Sequence, residues 1–144
     1  KQGYRVLLPA GNSAEELAAI AILRDLPGEV LAGRSLSELI EIMSRSSGAV
    51  SVDSGLGHLA VALGVPVVGV YGSTDPTLTG ILGGDVKLLV SDNLPCIPCR
   101  KRVCGLRMEG DSSSIDPPCF AQITPERVWK ALQLQIGGMD TRLG

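Results

Sequence analysis

The stretch SVDSGLGHLAVALGVPVVGVYGSTDP, residues Ser51–Pro76, decides the fold of this chain. It contains the end of a β-branched strand, a Gly-rich turn, an apolar helix and a second apolar strand. At the turn stand Asp53, Ser54, Gly55 and His58, and His58 is the only histidine of the chain. A turn of this kind places backbone N–H groups at the start of a helix, where a phosphate can bind.

Segments on both sides of this stretch alternate between apolar strands and capped helices. The predicted strands are Tyr4–Pro9, Glu29–Leu31, Ala49–Val52, Pro66–Tyr71 and Val86–Val90. Helices are predicted for Ala14–Leu26, after the capping box Ser35 and Glu38, after Gly55 with a C-terminal cap at Gly64, and from Thr124-Pro125 to Gly137. This alternation predicts an α/β fold, a Rossmann-like three-layer domain with a parallel sheet covered on both faces. We expect one domain over residues 1–144, with a Cys-rich loop at about 91–121.

Composition excludes several classes of function. The chain has 144 residues, a net charge of −2 and only 3% aromatic residues, so it offers neither a basic field nor a row of rings for nucleic acid. Charged residues, Gly or Pro interrupt every apolar run before it could span a bilayer. Without a signal-peptide pattern, the expected location is cytoplasmic. Because the chain enters a strand at once from Lys1-Gln2-Gly3, without Met, we expect it to be part of a longer protein.

Three predicted loops follow strands of the parallel sheet and should meet at its carboxyl edge, where such folds bind ligands. They are Gly11–Glu15, Asp53–His58 and Gly72–Asp75. The expected ligand is a nucleotide with its phosphates near Ser54 and Gly55, because unpaired N–H groups and the helix dipole favour negative charge there. Glu15 could accept hydrogen bonds from a ribose diol.

Each of these residues also has a structural interpretation. Asp53 and Ser54 are good N-cap residues, so capping explains them as well as ligand contact does. Glu15 could simply close a capping box with Asn12, and His58 could be an exposed histidine without a role. Thr74 and Asp75 have the composition of an ordinary turn. The dinucleotide fingerprint, the Walker loop and the GxSxG elbow are all missing from the sequence.

Four cysteines lie in the Cys-rich loop with the spacing C-x2-C-x4-C-x14-C: Cys96, Cys99, Cys104 and Cys119. Four thiolates could bind a structural zinc ion, although free thiols are the preferred interpretation for a cytosolic chain. Basic residues stand among them: Arg100, Lys101, Arg102 and Arg107. They could contact an anionic acceptor or lipid head groups, but a solvated basic loop is the more common explanation.

The order of four segments, LPAGNSAEE, RSLSELIEIM, the opening stretch and CFAQITPERVW, resembles the C-terminal half of the bacterial lipopolysaccharide heptosyltransferases. Within that family the middle segment is most similar to heptosyltransferase I. The resemblance implies one half of a GT-B enzyme, in which two Rossmann-like domains face a cleft and the C-terminal domain holds the ADP-heptose donor. The N-terminal acceptor domain, which carries a carboxylate as catalytic base, would then be absent from this chain.

Donor contacts follow from the same resemblance. Glu15 would contact the ribose, Arg34 would lie near the adenine, and the diphosphate and heptose would be surrounded by Asp53, Ser54, Gly55 and His58. The family usually has Thr at position 54, Pro at position 73 and Trp at position 10, where this chain has Ser, Ser and Ala. These departures leave the loop conformations open.

The implied reaction is inverting and requires no cofactor or metal: heptose passes from ADP-heptose to the Kdo-containing inner core of lipopolysaccharide. Its implied place is the cytoplasmic face of the bacterial inner membrane, with peripheral membrane association of the full protein. The isolated domain is expected to bind ADP or ADP-heptose without transferring the sugar. Alternatives are a GT-B domain for another nucleotide sugar, a non-catalytic nucleotide-binding module or a cysteine-stabilised interaction domain.

Overall fold

A computed structural model describes residues 3–91, 94–101, 103–106 and 117–140. The chain divides into two compact units, Lys1–Ile42 and Met43–Gly144. The first unit contains β1 (Val6–Ala10), α1 (Ser13–Leu23) and β2 (Gly28–Ala32), and the division falls inside α2 (Leu36–Ser44). β1 and β2 pair in parallel, and α1 packs on both strands.

The helix caps predicted at Asn12 and Ser35 are present, whereas the other predicted capping residue of α1, Ser13, is the first residue of the helix itself. Asn12 Oδ1 accepts a hydrogen bond from the Glu15 N–H at the start of α1. At the start of α2, Ser35 N–H donates to Glu38 Oε2 over 2.8 Å and Glu38 N–H donates back to Ser35 Oγ over 3.3 Å. These bonds from Ser35, with Arg34 beside them, lower the pKa of Glu38. The sequence signature of a capping box therefore marked a real helix start.

The second unit is built on three parallel strands in the order β3-β4-β5, with β4 in the centre. Its elements are β3 (Ala49–Val52), α3 (Gly55–Ala62), β4 (Val67–Tyr71), α4 (Pro76–Thr79), β5 (Val86–Val90), a short 3₁₀ turn (Pro118–Phe120) and α5 (Pro125–Asp140). Gly64 follows α3 with φ +75°, the left-handed conformation that glycine adopts without strain. The predicted cap at Gly64 is therefore confirmed.

Successive residues of β4 show that this unit has three layers. Val67 and Val68 are both fully buried, and neighbouring residues of a strand point to opposite faces of the sheet. Val67 belongs to a core cluster with Ala60 of α3, whereas Val68 belongs to a second cluster with Ala131 of α5. Helices thus cover both faces of the sheet. The predicted class, a Rossmann-like α/β fold with parallel strands, is confirmed.

Two details differ from the sequence prediction. The loop after β4 contains a helical turn, α4, that was not predicted, and α5 continues to Asp140 although Gly137 was expected to end it. A glycine costs a helix only about 1 kcal/mol. Leu132 and Ile136, which precede Gly137 in α5, lie against Gly48. Within the described ranges, no helix combines the length and the apolar character needed to cross a membrane.

Gly57 lets α3 approach β3 closely. A Cβ atom at this position would lie 2.7 Å from Ser51 Oγ and 2.6 Å from Ile81 Cδ1, both inside van der Waals contact. Gly55, two residues earlier in the same helix, has open space where its Cβ would be. Replacing each of these two glycines by alanine therefore compares the same substitution at a crowded and at an open position.

We expect Gly57→Ala to lower the free energy of unfolding by about 1–3 kcal/mol, because the added methyl overpacks a filled interior. Gly55→Ala should change it by no more than about 0.5 kcal/mol, as a substitution into open space does. Urea denaturation of both variants checks this. Equal stabilities would mean that α3 does not pack on β3 as closely as described.

Candidate functional site

Two of the predicted loops meet at the carboxyl edge of the second unit's sheet. Asp53 follows β3 and the segment Gly72–Asp75 follows β4, and parallel strands bring such ends to one edge. Thr79 Oγ1 of α4 donates a 2.7 Å hydrogen bond to Asp53 Oδ2, which joins the two loops directly. The convergence that the sequence predicted for these two segments is present in the structure.

Among the described residues, no side chain forms a capping hydrogen bond at the start of α3. Ser54 occupies the N-cap position in an extended conformation, but its side chain makes no capping hydrogen bond. Ser54 Oγ instead lies 2.9 Å from Ser51 Oγ, and Asp53 is bonded to Thr79. Ser54 is thus the N-cap residue, as the capping interpretation expects, but neither its side chain nor that of Asp53 supplies a capping hydrogen bond. The Gly57 N–H donates to the Ser54 carbonyl oxygen over 3.1 Å, so the N–H groups of Gly55 and Leu56 are the ones that remain available to a ligand. Gly55 adds no side chain in front of them.

His58 lies in the first turn of α3 and is exposed, as predicted from its place off the apolar face. Within the described part of the chain it makes no hydrogen bond or ion pair. An imidazole without a structural partner at the open end of a helix can donate to an anion when protonated or bind a hydroxyl when neutral.

Glu15 and Arg34 belong to the first unit and have local partners there. Asn12 Oδ1 accepts from Glu15 N–H, which is one half of the predicted capping box. Glu15 Oε2 accepts a 2.7 Å hydrogen bond from Gly11 N–H, the residue before the N-cap, and not from Asn12 N–H. Arg34 forms ion pairs with Glu29 and Glu38, over 3.4 and 3.2 Å. The contacts of Glu15 with a ribose and of Arg34 with an adenine stay predictions.

Asp75 was interpreted as an ordinary turn residue, but it organises the loop after β4. Its Oδ1 accepts hydrogen bonds from Thr77 N–H over 3.0 Å and from Thr77 Oγ1 over 2.7 Å, which caps α4. Its Oδ2 accepts from Arg100 over 2.9 Å. The Thr77 bonds, followed by Arg100, lower the pKa of Asp75. An Asp directly before Pro76 is the sequence signal that could have predicted this cap.

Tyr71 holds the far end of α4. Its hydroxyl accepts a 3.1 Å hydrogen bond from Ile81 N–H and lies 3.5 Å from the Thr79 carbonyl oxygen. The side chain is fully buried, and this burial raises the pKa of Tyr71. Because Thr79 also binds Asp53, the buried phenol indirectly fixes the carboxylate at the site. Contacts of this kind join distant residues and carry no local sequence signal.

All four cysteines line one cavity of about 110 Å³, together with Ser73 and Lys101. All are free thiols in the structure. Cys119 is buried, and a Cβ at Gly72 would lie 2.8 Å from its sulfur. Burial, together with the neighbouring cysteines, raises the pKa of Cys119. Within the described ranges, no three Cys, His, Asp or Glu side chains are already arranged to hold a metal ion.

The basic residues of the Cys-rich loop differ in their environments. Arg100 pairs with Asp75, and its N–H donates to the Ser73 carbonyl oxygen over 2.8 Å, so it is not simply a solvated charge. Lys101 is exposed at the cysteine-lined cavity. Arg102 and Arg107 lie outside the described residues.

Comparisons with known proteins agree with this geometry. The sequence model of glycosyltransferase family 9 (heptosyltransferase) matches residues 1–108. A lipopolysaccharide heptosyltransferase 1 of Pseudomonas aeruginosa is 34% identical over 98% of this chain, and the match covers 41% of that protein. The chain thus spans about two fifths of the length of this curated relative.

Two solved structures are similar in fold. The structure described as E. coli heptosyltransferase WaaC with ADP is 37% identical, with a TM-score of 0.59, over 61% of this chain and 28% of that chain. A glycosyl transferase family 9 protein of Veillonella parvula gives a TM-score of 0.67 over 93% of this chain and 37% of that chain; at 23% identity it supports the fold alone. The predicted resemblance is confirmed: the chain belongs to glycosyltransferase family 9, the heptosyltransferase family.

Proposed function

We propose that this chain is the donor-binding domain of a heptosyltransferase and that its ligand is ADP-heptose. The observation that carries the proposal is the open start of α3, with Asp53 and His58 beside it. A relative that is 37% identical over 61% of the chain was solved with ADP. An uncapped helix start with an adjacent Gly-rich turn is suited to a diphosphate.

Each site residue has a chemical role in this proposal. The diphosphate accepts hydrogen bonds from the first-turn N–H groups near Ser54 and Gly55. Asp53, held by Thr79, accepts hydrogen bonds from hydroxyls of the heptose, since a carboxylate would repel the phosphates. His58 donates to the diphosphate or the sugar. These donors stabilise the charge that develops on ADP as the glycosidic bond breaks.

The nucleoside contacts of the proposal rest on the family resemblance, which assigns them to Glu15 and Arg34. Glu15 binds the ribose, and only its Oε2 is engaged by the Gly11 N–H among the described bonds, so Oε1 can accept from a ribose hydroxyl. Arg34 lies near the adenine. Its guanidinium is partly engaged by Glu29 and Glu38, which orients the planar group rather than consuming all five of its donors.

The transfer step needs groups beyond this chain. In the proposed inverting reaction an acceptor hydroxyl, deprotonated by a carboxylate base, attacks the anomeric carbon while ADP leaves. We place the base and the Kdo-containing lipopolysaccharide acceptor on a second, N-terminal domain. This chain covers 41% of the P. aeruginosa relative, so we propose that it binds the donor but does not transfer heptose alone. The full enzyme would act, without a metal in catalysis, at the cytoplasmic face of the inner membrane.

Nucleotide selectivity tests this proposal. We expect ADP to bind the chain at least tenfold more tightly than UDP or GDP, measured by calorimetry, because the family resemblance specifies an adenine donor. Amide shifts should appear at residues 53–58 in the same titration. Preference for UDP would instead identify a different nucleotide-sugar transferase. No shift at residues 53–58 with any nucleotide would refute a nucleotide site there.

His58→Ala separates binding from stability. We expect the variant to bind ADP-heptose about tenfold or more weakly, since a hydrogen bond to a charged group contributes about 1.5–3 kcal/mol. Its Tm should stay nearly unchanged because the His58 side chain is exposed and forms no hydrogen bond or ion pair among the described residues. Lys130→Ala, at an exposed position of α5, is the control and should bind normally. Unaltered binding by His58→Ala would mean that this exposed histidine has no role in binding the ligand.

A further inference from the structure

The four cysteines come from two separate parts of the chain and still share one cavity. Cys96, Cys99 and Cys104 lie in the segment that follows β5, whereas Cys119 lies in the 3₁₀ turn before α5. The cavity of about 110 Å³ is lined by all four. We propose that this cysteine cluster binds one structural zinc ion through four thiolates.

The described part of the segment between β5 and the 3₁₀ turn has little regular structure. Its described residues, 94–101 and 103–106, form no helix or strand. Val103 is 77% exposed and Leu106 49% exposed, so these side chains contribute little apolar burial. The Arg100 side chain of the ion pair with Asp75 is exposed, and solvent weakens such a pair. A chain segment without its own core is the setting in which a structural metal supplies stability.

The chemistry of the cavity suits a thiophilic ion. Its sulfur donors are all free, and its wall also includes the apolar residues Leu94, Ile97 and Pro117. A zinc ion with four thiolates carries two negative charges, and the ammonium of Lys101 lines the same cavity and opposes that charge. Four sulfur ligands leave no open coordination position, so the ion would be structural and not catalytic.

The thiols do not yet surround a common point. No metal-holding group of three is arranged among the described residues, and Zn–S bonds are about 2.3 Å long. Binding of the proposed ion therefore requires the four sulfurs to move closer together than they are in the structure. Cys119 is already buried against Gly72, so the other three would move towards it. The bound ion would then fix the segment after β5 to the loop after β4.

Metal analysis tests the cluster directly. The full chain, purified under reducing conditions without chelator and supplied with zinc, should contain about one zinc ion by mass spectrometry. Cys104→Ser should reduce the content to near zero, whereas His58→Ala should retain it, since the only histidine is not a ligand in the proposal. Cobalt substitution should give the thiolate charge-transfer and d–d bands of a tetrahedral sulfur site.

A second measurement does not depend on variants that could fail to fold. Removing zinc from the unaltered chain with a chelator should speed amide exchange at Arg100, whose N–H donates to Ser73, by at least tenfold. Exchange in α3 should not change. A zinc content near zero with four thiols reactive in the native protein overturns the proposal, and so does a disulfide within the cluster. Neither result would bear on ADP binding.

Discussion

The second unit depends on the parallel pairing of β4 with β3 on one side and β5 on the other. β4 is short, yet its residues are buried on both faces of the sheet. This degree of burial requires a central strand that lies between two layers of helices. Its direction fixes the direction of its neighbours. The loops after β3 and β4 therefore have to emerge side by side, and Thr79 can reach Asp53 only because they do.

Much of this arrangement could be predicted from the sequence because its signals are local. The apolar run before Tyr71 indicated a strand buried on both faces, and Ser35 with Glu38 indicated a helix start; both are present. The turn α4 was missed because four residues give no periodicity. The end of α5 was misplaced because a glycine lowers the stability of a helix only by about 1 kcal/mol and so does not by itself end one.

The site was predictable in its residues but not in its partners. Asp53, Ser54 and His58 could be chosen from the turn that contains them, although capping explained two of them equally well until the structure showed both side chains bonded elsewhere. The hydrogen bonds of Tyr71 and Arg100 join positions separated by 8 to 27 residues. No pattern in a single sequence predicts such hydrogen-bonded pairs, because only the folded sheet brings the two residues together.

The bond between Thr79 and Asp53 spans 26 residues of chain, and this has a consequence for the order of folding. Closing so long a loop costs entropy that is recovered only after β3, α3 and β4 have assembled. The carboxylate is thus oriented late, when the sheet is complete. A ligand that needs the Asp53 carboxylate in this orientation would bind only fully folded molecules. By mass action, its binding would stabilise them against unfolding.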